Sequence, residues 1–252
     1  MVERIGRVLF AIAIVAIGVE SIVCLQTSVT FVKPAHVLPI MPYPPASPAL
    51  AVVIGLVTIA CGIALLSRRG VRAGAIAFAV VYVVSALVFD LPRLIAHPES
   101  VPLRTLFFQP LTMGALAWML PEAGLPNDWR ATLARYAIAV SLAVFGADHF
   151  AAFAGIAGLV PNWIPFHAFW AAFCGVAFIA AGVAFAANVL RGWAAAGMAL
   201  MFAIFLVTLH IPSALGAYGN PGAIRDPDQW CSIFIVLSLC GGFLALAKPA
   251  RR

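Results

Sequence analysis

Charge is scarce in this chain. Only 10% of its 252 residues are charged, against 64% hydrophobic, which excludes a soluble core of ordinary composition. Thiol chemistry lacks its usual signature as well. Cys24, Cys61, Cys174, Cys231 and Cys240 form no C-x-x-C pair, and at least three fall inside apolar runs, which argues for packing residues rather than a thiol-exchange enzyme. Cys24 and Cys231 both fall towards one face, so a bridge between them is one reading, but sequence does not establish their proximity. No stretch has the spacing of a zinc site, a nucleophile triad or a phosphate loop. The formal charge of +6 gives no case for nucleic acid, because the basic residues are dispersed over short loops between apolar segments.

What remains is an integral membrane protein whose natural partner is the lipid bilayer. Runs of roughly 20 apolar residues suffice to cross about 30 Å of hydrocarbon. Eight are present: Ile5–Gln26, Ser47–Leu66, Ala73–Phe89, Leu103–Leu120, Ala131–Phe153, His167–Ala187, Gly192–His210 and Gln229–Ala247. With the N-terminus inside, Arg4, Arg7, Arg68, Arg69, Arg72, Arg130, Arg135, Arg191, Lys248, Arg251 and Arg252 collect on the cytoplasmic side. Lys33, Arg93, Arg104 and Arg225 are left outside. That positive-inside bias predicts both termini cytoplasmic in a multi-pass protein of the cell (inner) membrane. All six tryptophans sit at or beside span ends, where an amphipathic indole prefers to lie.

The chain also reads as a duplication. Arg7, Gly18 and Glu20 recur as Arg135, Gly146 and Asp148, and Pro45, Gly55, Ile59, Gly62 and Pro92 recur as Pro165, Gly175, Ile179, Gly182 and Pro212. Residues 1–126 and 127–252 are thus two repeats, each of four helices. The expected fold is all-α, eight transmembrane helices forming two tandem four-helix bundles related by a pseudo-twofold axis along the membrane normal. The first span has a counterpart in the second half, which argues against a cleaved signal peptide. Gly55 and Gly62, and Gly175 and Gly182, are seven residues apart on one helix face and predict close helix approach. The segment Phe31–Pro48, with six prolines, predicts an extended outer cap. Pro110 predicts a kink near Leu106.

GADHFAAFAGIAGLVPNWIP, then FWAAFCGVAFIAAGVAF, an arginine turn and a span ending in His210, resembles the DoxX/DoxD-like membrane proteins, and CGIALLSRRGVRAGA is a fainter echo in the first half. The resemblance implies a four-helix membrane unit and an association with membrane oxidoreductase complexes, including thiosulfate:quinone oxidoreduction and oxidative-stress assemblies. Relatives often carry a glutamate between the two glycines of the second span; here those places hold Thr58 and Phe178.

Ionisable groups inside apolar spans are expensive and mark function by default. Glu20 and Asp148 lie roughly 20 Å above the cytoplasmic edge at about 1.5 Å per residue. Asp90 and His210 end the third and seventh spans, and His149 follows Asp148 by about 100° round the helix. Catalytic candidates are therefore Asp148, His149, His210, Glu20 and Asp90. The expected pairings are Asp148 with His149 or His210, and Glu20 with Gln26 or Asp90, each inside its own bundle. The favoured reading is a membrane subunit of an oxidoreductase system linked to the quinone pool, with soluble or membrane redox subunits as partners. The alternative is a non-catalytic scaffold or lipid- or cargo-binding protein, in which the same groups only hold the bundles together. A transporter ranks third. The residues leave the cofactor open: a quinone is one reading, haem on His149 and His210 ranks lower because two histidines without a spacing signature say little, and no metal site is indicated.

Overall fold

The computed structural model describes residues 1–24, 48–219 and 222–247. Among them every regular element is helical. The long helices are α1 (Val2–Val23), α2 (Pro48–Leu66), α3 (Val71–Ser85), α5 (Val101–Met119), α6 (Trp129–Ala151), α8 (His167–Ala187), α9 (Arg191–Phe205) and α11 (Pro227–Leu246). Short helices α4 (Leu91–Ala96), α7 (Phe153–Leu159) and α10 (Ile211–Ala214) lie between them. The proline-rich segment, together with Gln26, Lys33, His36 and the basic C-terminus, lies outside the described residues.

Seven helical segments are long and apolar enough to cross a membrane. The eighth expected span, α5, has 19 residues but is not among those seven. Arg104, Gln109, Pro102 and Pro110 dilute its apolar character. Its position explains why that composition is tolerated. α5 packs against α3, α6 and α11, and Leu103, Phe107, Met113, Ala115, Leu116 and Ala117 along it are buried. The lipid-facing work falls to other helices: Val53, Leu56 and Ile63 of α2, and Val176 and Val183 of α8, are large apolar side chains left exposed. In water these would be a liability; in hydrocarbon they are the expected outer surface.

The helices form one interlocked body. α1 packs on α2 and on α11, α6 packs on α8 and on α5, and α5 meets α11 near the middle. The expectation of polar pairs closed within each half's own bundle is therefore corrected, since the first helix of each half lies against the last helix of the other. Apolar aromatic side chains fill the centre. Phe10, Phe78, Phe185 and Phe243 are fully buried, Phe78 meets Phe10 edge-on at 5.5 Å, and Phe202 stacks on Phe243 at 5.8 Å.

Glycine sets the tightest contacts. A Cβ on Gly55 would stand 2.7 Å from the Gly18 carbonyl oxygen, and one on Gly146 would stand 2.7 Å from that of Gly175. Gly62 packs on Ala11, and Gly182 on Ala139. Lipid offers helices no hydrophobic reason to associate, so this close packing supplies one. Two arginines, Arg7 buried and Arg135 half-buried, tie helix ends across the same seams. Arg7 donates to the Leu65 carbonyl at the end of α2, and Arg135 donates to the Phe185 and Ala186 carbonyls at the end of α8. These carbonyls sit at the negative pole of their helix, where a guanidinium is favoured; the Phe185 carbonyl also accepts from the Asn188 N–H that caps α8.

Two π-helical turns follow the C-terminal ends of α3 and α9, at Ala86–Asp90 and Leu206–His210. Proline causes both. Pro92 and Pro212 have no N–H to give and their rings crowd the carbonyl four residues back. The chain widens just before each, so that the Leu91 N–H reaches the Ala86 carbonyl and the Ile211 N–H reaches the Leu206 carbonyl. Asp90 and His210 are the last residues of these turns, a setting in which functional side chains are common.

Candidate functional site

Asp148 sits in the last turn of α6 and is buried. Its partner comes from α5. Arg104 Nε donates to Asp148 Oδ1 at 2.6 Å, while Arg104 Nη1 donates to the Pro98 carbonyl at 2.8 Å. One guanidinium therefore pins the carboxylate and the loop before α5 together. Asp148 Oδ2 is buried and meets no donor. A carboxylate removed from water is costly unless paired, so Arg104 accounts for one oxygen and leaves the other as an open acceptor.

His149 lies next to it. Its Nδ1 is 2.7 Å from the Phe145 carbonyl; a carbonyl only accepts, so Nδ1 carries the hydrogen and the neutral ring presents Nε2 as a base. The ring packs against Phe178, with centroids 5.2 Å apart. Gly175 makes room for this arrangement, since a Cβ there would reach within 3.0 Å of the His149 Cβ and 2.9 Å of the Phe150 ring. The outer junction of α5, α6 and α8 thus holds a cation, a half-satisfied carboxylate and an imidazole against an aromatic wall. Chemically, such an arrangement offers a free acceptor at Asp148 Oδ2, an imidazole that can exchange a proton, and a cation that can steady negative charge.

The remaining candidates stand elsewhere. His210 is half-buried on a turn that packs against α9, α10 and α11, whereas α6 packs against α5, α7 and α8. The expected pairing of Asp148 with His210 gives way to Asp148 with Arg104. Asp90 is buried, with Oδ1 3.6 Å from Arg93 Nη1 one turn on. Its π turn packs against α3, α4 and α5. Glu20 is buried on α1 and faces Asp228 and Cys231 of α11, not Asp90. Cys24, which caps α1, and Cys231 carry free thiols. Burial, with the Glu20 and Asp228 carboxylates adding to it, pushes the Cys24 thiol above the ordinary cysteine range, away from the thiolate that exchange requires. Ser21 and Ser141 return their hydroxyls to the Ile17 and Ala137 carbonyls of their own helices. Among the described residues, no three of histidine, cysteine, aspartate and glutamate converge as metal ligands.

Arg104 and Asp228 are the functional residues that sequence reasoning missed. Arg104 was counted only as an outer-side charge, although it lies inside the expected span Leu103–Leu120, as Arg7 and Arg135 lie inside theirs.

Residues 4–91 match the DoxX family. The chain is a multi-pass membrane protein whose first third is similar to that family. Family members are associated with membrane oxidoreductase-related roles. The match falls on the first half, where the resemblance is fainter; residues 138–238 instead match a domain of unknown function, DUF8561. No curated protein and no solved structure matches the chain. The DoxX-like segment contributes Glu20 and Asp90, whereas Asp148, His149 and His210 lie in the other matched segment.

Proposed function

We propose that this protein is a membrane subunit of an oxidoreductase system linked to the quinone pool, and that Arg104, Asp148 and His149 form its quinone-facing site near the outer leaflet. The observation that carries the reading is Asp148 Oδ2, a buried oxygen without a donor beside an imidazole in a membrane-spanning helix. A quinone suits this donor and acceptor set. Its carbonyl oxygens accept from Arg104, and the hydroxyls of the reduced form donate to Asp148 Oδ2 or His149 Nε2. The quinone supplies two-electron redox chemistry. The chain's own residues hold its head, exclude water and manage the proton. Asp90 and His210, on the two π turns, are a further acid and base outside this junction. Soluble or membrane redox subunits supply or take the electrons.

Eight crossings underlie this reading, with the buried α5 counted as the eighth. They put both termini on the cytoplasmic side of the cell's inner membrane, in keeping with the positive-inside charge distribution. Two tandem repeats, 1–126 and 127–252, related by a pseudo-twofold along the membrane normal, are supported by contacts that recur at equivalent places. Arg7 on Leu65 is matched by Arg135 on Phe185, Gly18 on Gly55 by Gly146 on Gly175, and the turn ending at Asp90 by that ending at His210. The quinone site then lies between the halves, since Arg104 belongs to one and Asp148 to the other.

The test is a lipid extract of the protein purified from its native membrane in mild detergent. Quinone should co-purify with the wild type and be lost from Asp148→Asn and Arg104→Gln, both still folded. Extracts free of quinone, with no binding of a short-chain quinone added back, would leave the scaffold reading in its place.

A further inference from the structure

Glu20 stands in the place on α1 that Asp148 occupies on α6, but its surroundings are opposite in charge. Across from Asp148, α5 presents Arg104. Across from Glu20, α11 presents Asp228. Glu20 is 8% exposed, and both of its carboxylate oxygens are buried without a hydrogen-bond partner. The Cys231 backbone N–H lies near the carboxylate without closing a hydrogen bond. Ser21, the hydroxyl nearest in sequence, is committed to the Ile17 carbonyl. Among the described residues, the other elements packed on α1 bring no cation to this level: α2 carries Cys61 as its one ionisable group, next to Gly62, which meets Ala11 and Val15 far below.

A carboxylate in apolar surroundings, with no cation beside it among the described residues and another acid facing it, is costly to hold as an anion; two carboxylates sharing one site resist ionising together. We propose that Glu20 is a proton-binding site, kept as a neutral acid beside Asp228 and loaded from the outer face. Asp228 is half-buried in the first turn of α11, so it stands between Glu20 and the outer aqueous phase and is the natural relay. The groups facing the site are Glu20, Asp228, the Cys24 and Cys231 thiols, and Asp226, which caps α11 by accepting the Asp228 N–H. No bond is made or broken except O–H. A proton moves from outer water to Asp228 and then to Glu20, and returns by the same route. This site is independent of the quinone reading, since neither residue touches Arg104 or His149.

The full chain in liposomes is treated with a hydrophobic carbodiimide, which attacks carboxyls only in their acid form and only in apolar surroundings, and modified peptides are mapped by mass spectrometry. Glu20 should be modified at neutral pH several-fold faster than Glu3 or Asp128 near the membrane surface. Modification should slow as the pH is raised, and should stay the same when sodium is exchanged for choline. Asp228→Asn should slow it, because the facing negative charge that retains the proton is gone. Glu20→Gln should abolish it at this position; if that variant fails to fold, the pH profile of the wild type still decides. A Glu20 that stays unmodified at mildly acidic pH, or protection by sodium, would overturn the proposal, the second by showing a metal cation in the proton's place.

Discussion

Replacing Arg104 by methionine keeps most of the side chain's length and removes its charge. Asp148 would then be a buried carboxylate with neither oxygen paired. Breaking a buried ion pair from one side costs about 3–5 kcal/mol. Arg104 is 21% exposed on its side chain, so water reaches the pair and the lower end of that range applies. At roughly 2–4 °C per kcal/mol for a chain of this size, Arg104→Met should melt about 6–12 °C below the wild type in detergent. Asp148→Asn should cost less, since a neutral amide is cheaper to bury and still presents an oxygen. The double variant Arg104→Met/Asp148→Asn should recover much of the loss, leaving a coupling of more than about 1 kcal/mol in the double-mutant cycle. Tryptophan fluorescence during heating, with all four proteins in the same detergent, reads these differences. Additive losses, or an Arg104→Met that melts with the wild type, would refute the claim that this pair joins α5 to α6.

Three further outcomes follow from the packing. Gly175→Val should abolish folding or α6–α8 association, because even a Cβ there meets the Phe150 ring at 2.9 Å; cross-linking between cysteines placed on the two helices would show it. Arg135→Met should cost about 1.5–3 kcal/mol, the range for a hydrogen bond made by a charged group, because the end of α8 then loses its donor at Phe185 and Ala186; thermal melts measure it. Cys24 should react with maleimide more slowly than a free cysteine near neutral pH, and the rate should catch up only in alkaline solution. Its raised value moves thiolate formation to higher pH, so a fast reaction at neutral pH would contradict the assignment.

The helices were legible because hydropathy fixes them one at a time. The expected His167–Ala187 span is α8 to the residue, and Arg191–Phe205 with its π turn fills the expected seventh. α5 was the exception in composition: its apolar face is spent on α3, α6 and α11, so its polar residues cost little and its hydropathy falls. The site was legible only in depth. Burying Asp148 and Glu20 in apolar runs announces that each needs a partner, but a single helix does not reveal which neighbour faces it. That depends on α5 lying against α6 and α1 against α11, a pairing across the halves that no local pattern encodes. Reading each half as a closed bundle therefore sent Asp148 to His149 or His210 and Glu20 to Gln26 or Asp90, of which Gln26 lies outside the described residues. The π turns had a visible cause in Leu91-Pro92 and Ile211-Pro212, though proline alone did not distinguish a widened turn from a helix end.

A photoreactive short-chain quinone, cross-linked to the purified full chain and mapped by peptide mass spectrometry, bears most directly on the quinone site between the halves. The account predicts adducts on the peptides of α5, α6 and α8 that surround Arg104, Asp148 and Phe178, suppressed by excess unlabelled quinone and lost in Asp148→Asn. Adducts scattered over the exposed faces of α2 and α9, unaffected by competitor or by the substitution, would contradict it.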